Sequence, residues 1–215
     1  TDETLEIIER ISKNYPNANI NLTSEPDHGI YDALNKGIAK ATGDVIGIVH
    51  SDDLLANHTT LEQIARAFKT HKTDGVYGDL LYVQSKAPTK IIRNWKGMPF
   101  QQSLLKKGWM PAHPTLYLKS EVYLKEKGFN TNLKIAADYD FILRLFKNPD
   151  YQWYYLPEVI CKMRLGGASN SSIKNMLLKS YEDYQALKAN NITNFPLWVL
   201  LSKNLSKIPQ FFRNS

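Results

Sequence analysis

The alternation of apolar strand-like runs with amphipathic helices along this 215-residue chain predicts an α/β fold, a mainly parallel sheet with flanking helices and further helices at the C-terminal end. Three observations carry that expectation. Val45 to Val49 is a continuous apolar run broken only by Gly47, the pattern of a strand covered on both faces. The segments on either side of it carry apolar residues at helical spacing. The length suits one substantial core and is short for two.

In chain order, the first helix sets Leu5, Ile8 and Ile11 on one side, with Thr1 or Asp2 able to cap it. Ile20 and Leu22 suggest a short strand. Glu25-Pro26-Asp27-His28-Gly29 supplies loop chemistry before a helix with Tyr31, Leu34, Ile38 and Ala41 on one face, stopped near Gly43. After the apolar run comes a helix with Leu61, Ile64, Ala65 and Phe68 at i, i+3, i+4 and i+7, then a strand around Val76 to Val83. Residues 84–112 read mostly as loop, with a short helix near Gln101 to Lys107. Strands are expected near Leu116 and over Val159 to Met163. Between them a helix after Asp138 buries Tyr139, Ile142, Leu143 and Phe146, and a last helix from Ser172 to Lys188 buries Ile173, Met176, Leu177, Tyr184 and Leu187.

Lys and Arg number 27 against 21 Asp and Glu, and the resulting +6 surface attracts anions such as phosphorylated ligands, acidic lipids or nucleic acid. No basic helix stripe, zinc spacing or RNA-binding aromatic signature accompanies the charge, so no nucleic-acid partner is expected. Cys161, the single cysteine, has no intramolecular partner, fits a reducing cytoplasm and reads as an inert core residue in a strand. No apolar run approaches the roughly 20 residues of a membrane-spanning helix. The first residues do not read as a signal peptide.

Ser51-Asp52-Asp53 falls where the apolar run gives out, and in open α/β sheets ligands bind at the carboxyl ends of strands. Two adjacent acids there can hold a hard cation, Mn2+ or Mg2+, that keeps positions open for substrate phosphates. The same acids also suit a helix cap. The neighbourhood decides between these. Residues 24–53, SEPDHGIYDALNKGIAKATGDVIGIVHSDD, resemble the family 2 glycosyltransferases, in which a Gly-x-x-x-Ala-x-Asn-x-Gly-x-x-x-Ala-x-Gly-Asp helix leads into the strand bearing a DxD-type metal motif. Gly29, Ala33, Asn35, Gly37, Ala41, Gly43 and Asp44 are the counterparts, and the likeness is greatest to the bacterial exopolysaccharide and O-antigen branch.

The resemblance implies a GT-A fold, Rossmann-like, over residues 1–170, with a C-terminal helical extension over 171–215. It implies transfer of a sugar from a nucleotide diphosphate sugar, UDP-linked, to a saccharide or polyprenyl-linked acceptor with inversion. By position, Asp53 would ligate the metal, and Asp52 would bind the donor ribose or support the metal. Asp27 and Lys36 would border the nucleotide. Asp138, in the stretch Ala136-Ala137-Asp138-Tyr139-Asp140, would be the base that takes the acceptor's proton, with Asp140 beside it as an acceptor contact. His113 of Pro111-Ala112-His113-Pro114-Thr115 matches an HPT segment and would touch substrate. Arg164 and Ser169 of the R-x-G-G-x-S loop would close on the donor phosphates. Departures from the family pattern are His50, where many members carry an acid, and Ala137, where the usual pair has Glu. As alternatives, Asp27 and Asp32 suit turn formation and capping, Asp138 and Asp140 suit the positive end of a helix, and His113 suits a structural hydrogen bond.

The family's first strand, helix and second strand would precede the opening helix, so about thirty to fifty residues of the pattern are expected to be missing. An inactive glycosyltransferase-like binding subunit and a nucleotidyltransferase stand as alternatives, the latter without a phosphate-cradling Gly-rich loop. After Asn194, the apolar run Phe195 to Leu201 followed by Lys203, Lys207, Phe211, Phe212 and Arg213 suits either an interfacial helix on the inner face of the cell membrane or a helix packed on the domain.

Overall fold

Strand β3 (Gly75–Gln84) is the axis of the protein, buried from Gly75 through Leu81 as its apolar composition demands. The computed structural model describes residues 2–164 and 173–205. Around β3 lie β1 (Val45–Gly47), β2 (Asp53–Leu55), β4 (Ala87–Trp95), β5 (Tyr117–Lys119) and β6 (Trp153–Arg164). The sheet order is β1-β5-β3-β6-β2, with β4 also on β3. β5 and β4 pair with β3 in succession, β5 along Gly75 and Val76 and β4 along Leu80 to Gln84. β3 and β6 run parallel, and the other described pairs are antiparallel. The α/β class therefore stands, while the pairing is mixed where a mainly parallel sheet was expected.

Several local expectations change for the same reason, the identity of the neighbour. Val45 to Val49 yields only three strand residues paired to β5, with Ile46 buried, Gly47 exposed and Val49 exposed. The run is thus partly open to solvent and not covered on both faces. Gly47 is required there, because an added Cβ would meet the Tyr117 ring at 2.0 Å. Ile20 and Leu22 form no strand and are exposed. Residues 84–112, expected as loop, contain β4, which turns back on β3 at Ser85-Lys86. Register shifts between Tyr82 and Gln84 break the alternation that would have marked this hairpin. The expected helix near Gln101 is a 3-10 helix, Gln102–Lys107.

Helices α1 (Thr4–Asn14), α2 (Ile30–Lys40), α3 (Thr60–Thr70), α4 (Ser120–Lys125), α5 (Ala137–Lys147), α6 (Ile173–Ala189) and α7 (Pro196–Leu205) complete the fold. The Thr4 amide donates to Asp2 at 3.2 Å, and α1 buries no residue. The predicted helix stop near Gly43 falls earlier, at Ala41. In α3, Ile64 and Ala67 face inward and Leu61 does not. α5 is the densest element, with Tyr139, Phe141, Ile142, Leu143, Leu145 and Phe146 all buried in the main core.

The expected inward face of α6 is rotated. Met176 and Leu177 are exposed, while Glu182, Asp183, Ala186 and Leu187 are buried, because the acidic side chains find partners on α7 and in the loop before α5. Ala186, Leu187, Ile192 and Val199 enter the same core as α5, so the C-terminal helices pack as part of the body. Lys203 of α7 is buried against Asp183 at 2.8 Å and lies 3.2 Å from the Tyr139 ring centroid. α2 is joined to this body by Asn35, which donates to the Phe129 carbonyl at 2.9 Å and accepts the Phe129 amide at 2.8 Å.

Candidate active site

β2 and β6 build one wall. Asp53 opens β2 opposite Met163, and the Arg164 amide donates to the Asp52 carbonyl at 3.2 Å, which brings Asp52, Asp53 and Arg164 together from segments more than a hundred residues apart. Asp53 is 5% exposed, and neither carboxylate oxygen has a hydrogen-bond partner among the described residues. Burial pushes its carboxyl above the usual carboxylate range; His50 opposes that rise and Asp52 adds to it. A buried carboxylate without a donor is costly unless a cation compensates it. The residues thus fit a hard divalent ion at Asp53, and the Arg164 Nε likewise has no partner among the described residues.

The second candidate carboxylate comes from α5. Asp138 lies in its first turn, where the helix dipole favours a negative charge. Its Oδ1 accepts the Tyr139 amide at 2.8 Å and lies 3.4 Å from the Tyr31 hydroxyl, which donates to the Ile135 carbonyl at 2.7 Å. His113 has its ring centroid 5.5 Å from that of His50 and 5.7 Å from that of Phe129. Both its ring nitrogens are buried without a described partner. Burial holds its imidazole below the ordinary histidine value; the charge of Asp138 opposes this and His50 reinforces it.

Tyr82, not singled out from the sequence, feels charge from both β2 and α5. Burial raises its hydroxyl, the Arg93 guanidinium 4.8 Å from its ring opposes that rise, and the charges of Asp53 and Asp138 both add to it. Both carboxylates therefore lie within electrostatic reach of one hydroxyl. Cys161, buried in β6 across from Leu55, is the inert core thiol expected, pushed up to about 12 chiefly by burial.

Other expected residues are placed differently. Asp27 accepts the Gly29 amide at 2.8 Å, and Lys36 bridges the Pro26 carbonyl at 2.8 Å and Asp32 at 2.9 Å. The Asp27 contact, and that of Asp32 with the His28 amide at 3.0 Å, match the turn-forming and capping alternative, while the described partners of Lys36 lie in that same loop and helix. Asp140 is corrected outright. It is buried, with one oxygen 3.0 Å from Arg144 and the other 2.9 Å from Asn190, so the expected acceptor contact gives way to a brace between α5 and the end of α6. Ser169 lies outside the described residues.

Residues 1–126 match the sequence pattern of the Glycosyl transferase family 2. The chain belongs to that family. A PGL/p-HBAD biosynthesis glycosyltransferase of Mycobacterium bovis (strain BCG / Pasteur 1173P2) is 29% identical over 181 residues, 83% of this chain and 68% of that protein. A chondroitin synthase of Pasteurella multocida (strain Pm70) is 28% identical over 201 residues, 91% of this chain and 20% of that protein. The structure of S. aureus TarS 1-349 in complex with UDP-GlcNAc has a TM-score of 0.63 at 18% identity, over 89% of this chain and 54% of that one. A mannosyltransferase, PcManGT from Pyrobaculum calidifontis in complex with GDP-Man and Mn2+, has a TM-score of 0.60 at 18% identity, over 99% and 61%. This family 2 chain thus has the GT-A fold and spans about half the length of TarS 1-349.

Proposed function

We propose that the protein transfers a sugar from a nucleotide diphosphate sugar, UDP-linked, to a hydroxyl of a saccharide or polyprenyl-linked acceptor, with inversion, in cell-surface polysaccharide synthesis. The observation that carries this reading is the buried Asp53 carboxylate with both oxygens unpartnered, together with Asp138 at a helix start. UDP-GlcNAc and GDP-Man in the related structures support the donor class.

Asp53, with Asp52 beside it, would hold Mn2+ or Mg2+ together with the donor diphosphate. Bound there, the ion supplies neutralisation of the leaving nucleotide diphosphate. Among the described residues no group of three or more His, Cys, Asp or Glu is placed to hold a metal, and a hard ion held by one or two carboxylates would take its remaining oxygens from phosphate and water. Arg164 and Ser169 are assigned to the phosphates, and Asp27 and Lys36 to the nucleotide border. On the acceptor side, Asp138 removes the hydroxyl proton as that oxygen bonds to the anomeric carbon and the bond to the diphosphate breaks. The Tyr31 hydroxyl and the Tyr139 amide keep its Oδ1 oriented. His113, neutral and buried, stands beside the acceptor path.

A peripheral contact with the inner face of the cell membrane suits a polyprenyl-linked acceptor. α7 turns Val199 and Lys203 inward but leaves Leu197, Trp198, Leu201 and Leu205 exposed, an apolar stripe of the interfacial kind. No helix among the described residues is long and apolar enough to cross a membrane. Incubating the full-length protein with UDP- and GDP-linked sugars, Mn2+ and polyprenyl phosphate saccharides, and following nucleotide diphosphate release and product mass, tests the activity. Absence of turnover across the panel would reject it.

A further inference from the structure

Glu182 presents a different problem from the site acids. It is 3% exposed in the middle of α6, in the segment after the matched family pattern, and a buried carboxylate is worse for stability than a leucine unless its oxygens are fully engaged. They are engaged in an unusual way. Oε1 accepts the Lys134 amide at 2.9 Å, and Oε2 accepts the Ile135 amide at 2.8 Å and the Ala136 amide at 2.9 Å. Three successive backbone donors converge on one side chain, and Ala136 is the N-cap residue of α5. The other edge of the same peptide run is taken by the Tyr31 hydroxyl on the Ile135 carbonyl. Two residues further on stands Asp138.

We infer that Glu182 is a positioning residue for Asp138, which it sets through the backbone of residues 134–136. The inference rests on the reading of Asp138 as the base. The apolar face of α5 already fixes the body of that helix in the core, so a further brace for the helix alone would be redundant. Glu182 instead grips the strap leading into the helix, where each amide would otherwise lack an intrahelical acceptor. Hydrogen bonds to a charged acceptor are shorter and stiffer than neutral ones, and three of them restrict the strap against sliding along its own axis. A carboxylate acts where geometry must be held closely, since a misplacement of about 1 Å can cost a hundredfold in rate.

The test uses Glu182→Gln in the full-length protein, whose amide places a donor against backbone donors, together with Glu182→Asp, which keeps the charge but shortens the reach. Hydrogen exchange of the 134–136 amides should quicken, turnover should fall roughly tenfold or more, and the affinity for UDP with Mn2+ should hold within about twofold, with Glu182→Asp between parent and Gln in each respect. Should the Gln variant fail to fold, the Asp variant carries the same readouts. Unchanged exchange at 134–136, or faster exchange with turnover kept within about twofold, overturns the positioning role. In an Asp138→Asn background Glu182→Gln should cost no further turnover, and a further loss would show that it acts elsewhere. Full turnover in Asp138→Asn alone overturns the base assignment and this role with it, whereas unchanged exchange overturns Glu182 only.

Discussion

Helices α2 and α5 flank the site from distant parts of the sequence, yet α2 buries none of its 11 residues fully while α5 buries eight of its 11. The side proposed for the donor, from the loop at Asp27 towards Asp53, is made largely of exposed segments held by turns and surface ion pairs such as Lys36 with Asp32, and ends on the buried, unpartnered carboxylate of Asp53. The side proposed for the acceptor is built on the core helix α5, tied to the end of α6 by the bond of Asn190 to Asp140. On the proposed reading, a ligand completes the first side, whereas the protein itself sets the carboxylate of the second in advance.

That contrast is broken most directly at Asp53. Asp53→Ala should abolish Mn2+-dependent binding of UDP, because the diphosphate then lacks its compensated cation, and isothermal titration reads this as a lost heat signal. UDP affinity equal to the parent's, or parent affinity indifferent to EDTA, would remove the metal from the donor side. Asp138→Asn should leave that binding intact and lower turnover by about a hundredfold or more, the scale of a lost general base. A fall of less than about threefold would transfer the role to another residue.

Stability should follow the same division. Leu187→Ala, at a fully buried position of α6, should cost about 2–5 kcal/mol in chemical denaturation. Leu5→Ala on the exposed face of α1 should cost under about 0.5 kcal/mol. Comparable losses would mean the two regions are equally braced. The smallest expected effect concerns α7, where Leu197→Ser with Trp198→Ser should leave the unfolding midpoint unchanged and reduce co-sedimentation with anionic liposomes. Unaltered sedimentation would exclude that stripe from membrane contact.

Several elements that position the candidate site were legible in residue order because their signals are local. The run from Gly29 to Asp53 keeps its helix and the strand onset, whereas the meeting of the Arg164 amide with the Asp52 carbonyl comes from the pairing of β2 with β6 and could not be read in residue order. What escaped depends on partners distant in sequence. β4 was obscured by the register shifts between Tyr82 and Gln84. Periodicity assigned Met176 and Leu177 to the core, yet the buried face of α6 carries Glu182 and Asp183, whose burial is sustained by backbone amides near residue 135 and by Lys203. Hydrophobic patterning cannot register a polar group paid for by a long-range bond. Asp140 was misread because its partner Asn190 lies 50 residues on.

The Asn35 contact with Phe129 gives one position an unusual chemical sensitivity. A primary amide offers the Phe129 peptide both an acceptor and a donor, as an adjoining strand would, and it joins α2 to that loop beside the packing of the Tyr31 ring on Phe129. Slow hydrolysis of that amide, the common ageing reaction of asparagine, would leave an oxygen facing the Phe129 carbonyl oxygen. The seam would then repel where it had joined, and a stored sample could lose the docking of α2 without any change in chain length, a lesion that Asn35→Asp reproduces and that thermal unfolding of the two forms would detect.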